Sequence, residues 1–237
     1  MSFDSTVGRA TFDKKVGRPQ QAKSVLESGD TSDADTREKP HSRFHISEES
    51  VRLAARLQSS ATAGQLVVFT GTDEKDGIAT VVTQVALAMV QAGVQPVLLI
   101  DANVHAPAIH NAFDISIEPG LAQLLEGTVT AEMAIKHVAI ADLWVLPAGI
   151  RSDDSVGLFS STAFSAFFSE IKKQFRFVIV NSPPILDHAE SLVIAGRSDG
   201  VVMVVASGRR TRTDLRRIKE ELDGVKAHLL GAVLSQS

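Results

Sequence analysis

The chain contains no cysteine and no tyrosine, and its 237 residues include one tryptophan. Without cysteine there is no disulfide, no thiolate nucleophile and no Cys-ligated zinc, a pattern that fits the cytosol. Without tyrosine there is no phenolic hydroxyl anywhere in the chain. Long apolar runs are missing too, because Gln84, Gln91 and Gln95 interrupt the longest of them before membrane-spanning length is reached. No N-terminal stretch follows the basic, apolar, small-residue order of a signal peptide, so membrane attachment is expected only through a partner. A net charge of −4 gives little general attraction to DNA or to an anionic membrane, and no nucleic-acid partner is expected.

What the chain does have is 44% apolar residues, enough for one substantial core. Residues 1–43 are rich in Ser, Asp, Lys, Arg, Gly and Gln without a sustained apolar period, and they read as a flexible arm. Residues 44–237 read as one domain. Val51, Leu53, Ala54 and Leu57 fit one face of a first helix over about 46–60, with Ser47 and Ser50 at its start and Glu48 and Glu49 in its first turn. Beyond it, short apolar runs alternate with amphipathic stretches. Strands are expected at 66–70, 96–101, 143–147, 177–181, 200–206 and 229–234. Helices are expected at 77–91, 106–113, 121–126, 130–136, 162–173, 188–195 and 211–222. Strands of Val, Ile and Leu without polar alternation imply burial on both faces, hence a doubly wound, mostly parallel α/β sheet flanked by helices. A ligand site then belongs at the carboxyl ends of the strands.

The segment from Val67 to Thr80 has the outline of a phosphate-binding P-loop, a buried strand, a turn between Gly71 and Gly77, then an amphipathic helix. A working P-loop needs Lys and then Ser or Thr after the last Gly, to neutralise phosphate and to ligate Mg²⁺. Here Ile78 and Ala79 occupy those positions, followed by Thr80. Asp73, Glu74 and Asp76 add three carboxylates against Lys75, and at an effective dielectric near 20 each like-charge contact at about 4 Å costs about 4 kcal/mol. Phosphate is expected to be repelled. The plainer reading of the loop is a polar strand-to-helix turn with Asp76 as N-cap.

Other polar groups have plain readings as well. Asp101 at a strand end suits an anchor for nearby N–H groups better than a catalytic base. His105 and His110 are five apart and do not share a helix face, which argues against zinc. Asp187-His188 lacks a Gly-x-Ser-x-Gly nucleophile elbow. Trp144 reads as core, and Pro183-Pro184 as a rigid turn. Arg209, Arg210, Arg212, Arg216, Arg217 and Lys219 form the strongest basic cluster, but Glu220 and Glu221 lie at i+4 from Arg216 and Arg217, which suits a solvated helix.

Taken in order, the P-loop outline, Val97-Leu98-Leu99-Ile100-Asp101-Ala102-Asn103-Val104-His105-Ala106-Pro107, Phe177-Val178-Ile179-Val180-Asn181-Ser182-Pro183-Pro184 and Asp199-Gly200-Val201-Val202-Met203-Val204-Val205 resemble the cytoplasmic domain of the bacterial tyrosine kinases (BY-kinases). These are P-loop proteins, related to ParA and MinD, that accompany exopolysaccharide and capsule assembly. The resemblance implies a strand-end motif Asp-x-Asp-x-Arg-x-Pro, which here reads Asp101, Asn103, His105 and Pro107. It implies a second strand-end Asp that holds Mg²⁺ through water, here Asn181. It implies a Tyr-rich tail, here without tyrosine. Gly71, Gly77, Ile78, Ala79, Thr80, Asp101, Asn103 and Asn181 therefore mark a vestigial nucleotide site, with no catalytic residue, no metal ligand and weak or absent Mg-ATP binding.

The resemblance further implies a helix that packs on a neighbouring protomer, with Glu49, Arg52 and Arg56 as candidates; a solvated face is their plain reading. The reading that follows is a pseudokinase acting as scaffold or regulator in exopolysaccharide polymerisation and export. Its implied partners are a membrane-embedded co-polymerase or activator protein, an active kinase paralogue and further copies of the chain, at the inner face of the plasma membrane. The alternatives are an atypical ATPase or kinase using Lys75 or a neighbour's arginine, and a ParA/MinD-like positioning protein.

Overall fold

The computed structural model describes residues 46–59, 64–140, 142–150, 154–207 and 212–235. The expected arm over 1–43, together with Arg209 and Arg210, lies outside them. The strands are β1 (Gln65–Gly71), β2 (Val97–Asp101), β3 (Lys136–His137), β4 (Leu143–Leu146), β5 (Phe177–Asn181), β6 (Gly200–Ala206) and β7 (Leu229–Ser235). They form one sheet in the order β3-β4-β2-β5-β1-β6-β7. Every pairing is parallel except β3 with β4. The helices are α1 (Glu48–Ser59), α2 (Ile78–Gln91), α3 (Ile109–Ala112), α4 (Leu121–Leu125), α5 (Ala131–Ala134), α6 (Ser155–Ser160), α7 (Thr162–Gln174), α8 (Glu190–Ala195) and α9 (Arg212–Gly224).

The period of two along each strand divides the core into two halves. In β1, Leu66 and Val68 join α7, α8 and α9 through Phe164, Phe167, Ile171, Ile194, Ile218 and Leu222. Val67 and Phe69 face the other way, onto Val82, Val85, Ala86 and Met89 of α2 and Ala54 and Leu57 of α1. Both faces of the central strands are thus covered, which is why their sequences show no polar alternation. Ser47 caps α1 by accepting the N–H of Ser50, at 3.2 Å. The hydroxyls of Ser47 and Ser50 also donate to Gln84 Oε1 of α2, at 3.0 and 2.9 Å, fixing the first helix on the second.

Several elements differ from the sequence expectation for identifiable reasons. The helix expected over 106–113 contracts to α3, because the N–H groups of Asn103, Ala106, Ala108 and Ile109 bond to the side chains of Asp101 and Asn103 instead. The helix expected over 130–136 stops at Ala134, and Lys136 and His137 pair with β4. The sequence reading missed α6, which Asp154 caps by accepting from Gly157 N at 2.8 Å. The helix expected from His188 starts at Glu190.

The most consequential correction is Asp76. It does not cap α2; Gly77 occupies the cap position in the left-handed region, at φ 72° and ψ 30°, where a side chain would be strained. The carboxylate of Asp76, fully buried, turns back into the protein. Its Oδ2 accepts from Thr72 N and Thr72 Oγ1, both at 2.7 Å, and from Asp73 N at 3.0 Å; its Oδ1 accepts from Ala206 N, at 3.0 Å, at the end of β6. Truncation would leave these donors buried without acceptors, each costing about 1–3 kcal/mol. Asp76→Ala is predicted to destabilise the fold by at least about 3 kcal/mol in urea denaturation; a loss below about 1 kcal/mol, the size of an exposed loop contact, would contradict this.

Candidate functional site at the strand ends

A cavity of about 240 Å³ opens at the carboxyl ends of β1, β2 and β5, lined by Glu74, Gly77, Ile78, Ala79, Asn103, Ala106, Ala108 and Asn181. The expected site residues Gly77, Ile78, Ala79, Asn103 and Asn181 therefore meet. Gly71, Thr80 and Asp101 do not line it. Gly71 is buried at the end of β1, where an added Cβ would stand 2.9 Å from Ile78 Cδ1 and 3.0 Å from Asp76 Oδ2, and Thr80 is exposed. A second hollow of about 140 Å³ lies at the opposite end of the sheet, beside Gln58, Val94, Arg176 and Phe177. It is remote from the strand-end polar groups.

Asp101 ends β2 opposite Asn181 of β5 in the parallel register. Its Oδ1 accepts from Asn181 Nδ2 at 2.8 Å and Asn103 N at 3.2 Å, and its Oδ2 from Ala108 N at 2.9 Å and Ile109 N at 3.0 Å. Burial pushes this carboxyl above the usual carboxylate range, and the bonds from Ile109, Asn181, Ala108 and Asn103 oppose the rise. With both oxygens committed to protein donors, Asp101 has the geometry of an anchor.

Asn103 Nδ2 reaches across to Glu74, 2.9 Å from Oε2 and 3.2 Å from Oε1. Much of Glu74 is exposed, yet its carboxyl turns into the cleft, where burial raises its pKa from 4.5 against the lowering effect of the Asn103 bond. The loop's three acids thus divide: Asp76 faces inward, Asp73 accepts from Lys75 N at 3.0 Å, and Glu74 faces the cavity. Asn181 Oδ1 is buried and has no hydrogen-bond partner. The turn after β5 is rigid, because Thr70 Oγ1 and Ser191 Oγ each donate to the carbonyl of Pro183 at 2.8 Å.

A magnesium nucleotide fits this residue set poorly. Ile78, 4% exposed, places a branched apolar side chain where a cation is needed, and Ala79 offers no hydroxyl. The N-terminus of α2 favours an anion by about 0.3–1 kcal/mol. A carboxylate at contact distance opposes one by about 4 kcal/mol, so Glu74 decides the sign.

Glu49, Arg52 and Arg56 are all exposed on α1, and Arg52 pairs with Glu48 at 2.7 Å. Trp144 is half-buried, edge-on to Phe175. On α9, Lys219 pairs with Asp223 at 2.6 Å. The sequence reading missed a cluster at the cleft rim. His105 Nε2 meets Glu190 Oε1, and the His105 ring stacks on His188 with centroids 3.9 Å apart. His105 is thus joined to residues some 85 positions away in sequence, and not to His110. The run Asp187-His188-Ala189-Glu190 read together with His105 was the available signal. Among the described residues, no helix is long and apolar enough to cross a membrane.

The fold first defines a class. A cell-division ATPase MinD from Pyrococcus furiosus superposes with a TM-score of 0.62 at 19% identity, over 72% of this chain and 71% of that one, a likeness of fold. No family model matches the chain. The tyrosine-protein kinase YwqD of Bacillus subtilis is 30% identical over 169 residues, 71% of each chain. This chain belongs to the bacterial tyrosine-protein kinase family. The tyrosine-protein kinase CpsD of Streptococcus agalactiae is 27% identical over 185 residues, covering 78% of this chain and 80% of that one. The crystal structure of the chimerical protein CapA2B2 matches with a TM-score of 0.76 at 27% identity, over 84% and 88% of the two chains.

Glu74 gives a pH test of the cleft. Its folded pKa lies above the unfolded value of 4.5, so its stabilising contribution is complete below pH 4.5 and is lost as pH rises through the folded value. Glu74→Gln keeps an acceptor for Asn103 and removes the titration. The melting temperature of the variant relative to wild type is predicted to climb as pH is raised from about 4 to 8. A difference that stays flat or falls would show that burial does not govern this carboxyl.

Proposed function

We propose that the chain is a member of its family that has lost phosphoryl transfer and acts as a scaffold or regulator of exopolysaccharide polymerisation and export. The observation that carries this reading is the strand-end cleft itself. Ile78, Ala79 and Asn181 stand where the family resemblance calls for the phosphate cation, the metal hydroxyl and the metal carboxylate. Phosphoryl transfer rests on positioning and on charge stabilisation by those groups, and a cleft that offers Glu74 instead supplies the wrong sign. The absence of tyrosine excludes tyrosine autophosphorylation of this sequence.

Such a protein works through surfaces. The resemblance supports a cytoplasmic protein recruited to the inner face of the plasma membrane by a membrane-embedded co-polymerase or activator protein, with an active kinase paralogue and other copies of the chain as further partners. In calorimetry, Mg-ATP is predicted to give no saturable heat from micromolar to millimolar concentration, and no phosphate should pass to a tyrosine peptide. Micromolar binding or turnover would instead establish an atypical ATPase or kinase.

The exposed face of α1 carries the oligomer reading through Glu49, Arg52 and Arg56. An exposed i,i+4 pair such as Glu48–Arg52 contributes only about 0.3–0.5 kcal/mol, so charge reversal there leaves the fold intact. Arg52→Glu combined with Arg56→Glu is predicted to keep the melting temperature within a few degrees while shifting the sedimentation profile towards monomer. An unchanged oligomer distribution would remove α1 from the interface.

A further inference from the structure

We propose that His105, His188 and Glu190 form a binding site for one divalent transition-metal ion of the zinc class, at the rim of the strand-end cleft. The three residues come from separate places. His105 follows β2 in the segment anchored on Asp101 and Asn103, His188 lies on the turn that leaves β5, and Glu190 opens α8. Their ligand atoms all lie within 4.8 Å of one another. Ligands on a tetrahedral zinc at about 2.0–2.1 Å stand roughly 3.4 Å apart, so the widest pair must close by about 1.5 Å at most, while His105 Nε2 and Glu190 Oε1, in direct contact, must open to admit the ion. His188, partly exposed on a turn, supplies that movement by rotating its ring out of the stack with His105.

The donor chemistry selects the ion. Two imidazole nitrogens and one carboxylate oxygen match zinc and its first-row neighbours, whereas magnesium and calcium take all-oxygen shells. Three protein ligands leave the fourth position to water. Glu190 is 2% exposed and is also held by Ser155, the kind of supporting bond that orients a ligating carboxylate. When the ion takes His105 Nε2 and Glu190 Oε1, the proton between them leaves to solvent. None of the three residues belongs to the vestigial nucleotide site, so the proposal stands whether or not that site binds Mg-ATP.

The test uses the full chain without a histidine tag, stripped with chelator. Titration with Co²⁺ is expected to give the intense visible absorption of a four-coordinate site, saturating at one ion per chain. Calorimetry with Zn²⁺ should return the same stoichiometry, undiminished by millimolar Mg²⁺. His188→Asn, at a partly exposed position, is expected to fold with a melting temperature within a few degrees of wild type and to weaken Zn²⁺ binding at least about tenfold. His228→Asn, on the exposed segment before β7, should bind as wild type. The absence of saturable binding in the wild type would overturn the proposal. So would equal affinity in His188→Asn, since the ion would then sit elsewhere.

Discussion

One buried carboxylate holds the loop of this protein in place. Asp76 collects donors from Thr72 and Asp73 on its own turn and from Ala206 at the end of the adjacent strand β6, 130 residues later. A buried charge is tolerated only where hydrogen bonds replace its lost hydration, and here four donors do so. The tie fixes the end of β6 against the loop after β1. It therefore sets the angle at which α2 leaves the turn, and with it the wall of the cleft. Gly77, in the left-handed region, and Gly71, with no room for a Cβ, are the backbone requirements of that geometry.

The same logic extends to the other acids of the strand ends. Asp101 spends both oxygens on donors from α3, from the segment before it and from Asn181. Glu74 faces the cleft but is engaged by Asn103. The carboxylates of Asp76, Asp101 and Glu74 are therefore all bonded to neighbouring protein groups. A loop and sheet tied together by internal hydrogen bonds in this way do not depend on a nucleotide for their shape. Outside this network lie the exposed face of α1 and the rim carrying His105, His188 and Glu190.

Much of the architecture could be read from the sequence, because the central strands are uninterrupted apolar runs and α2 and α7 are long and periodic. The strand-end location of the cleft followed from the parallel topology. What could not be read were features set by distant contacts. Asp76 looked like an N-cap, since only the fold brings Ala206 N to it. The helix expected at 106–113 has ordinary propensity, but side-chain acceptors on Asp101 and Asn103 capture its N–H groups first. His105 seemed isolated because its neighbours follow the adjacent strand β5 some 85 positions later, and α6 was missed because Gly157 lies inside it and weakens its helical signal.

Native-state hydrogen exchange at the amides of Thr72, Asp73 and Ala206, with and without Mg-ATP, tests most directly whether the cleft is held from within. Protection approaching that of the core strands, equal in the two conditions, is the predicted result for donors bonded to a buried carboxylate. Exchange at loop-like rates that slows only when Mg-ATP is added would contradict it, because the loop would then owe its order to nucleotide and not to Asp76.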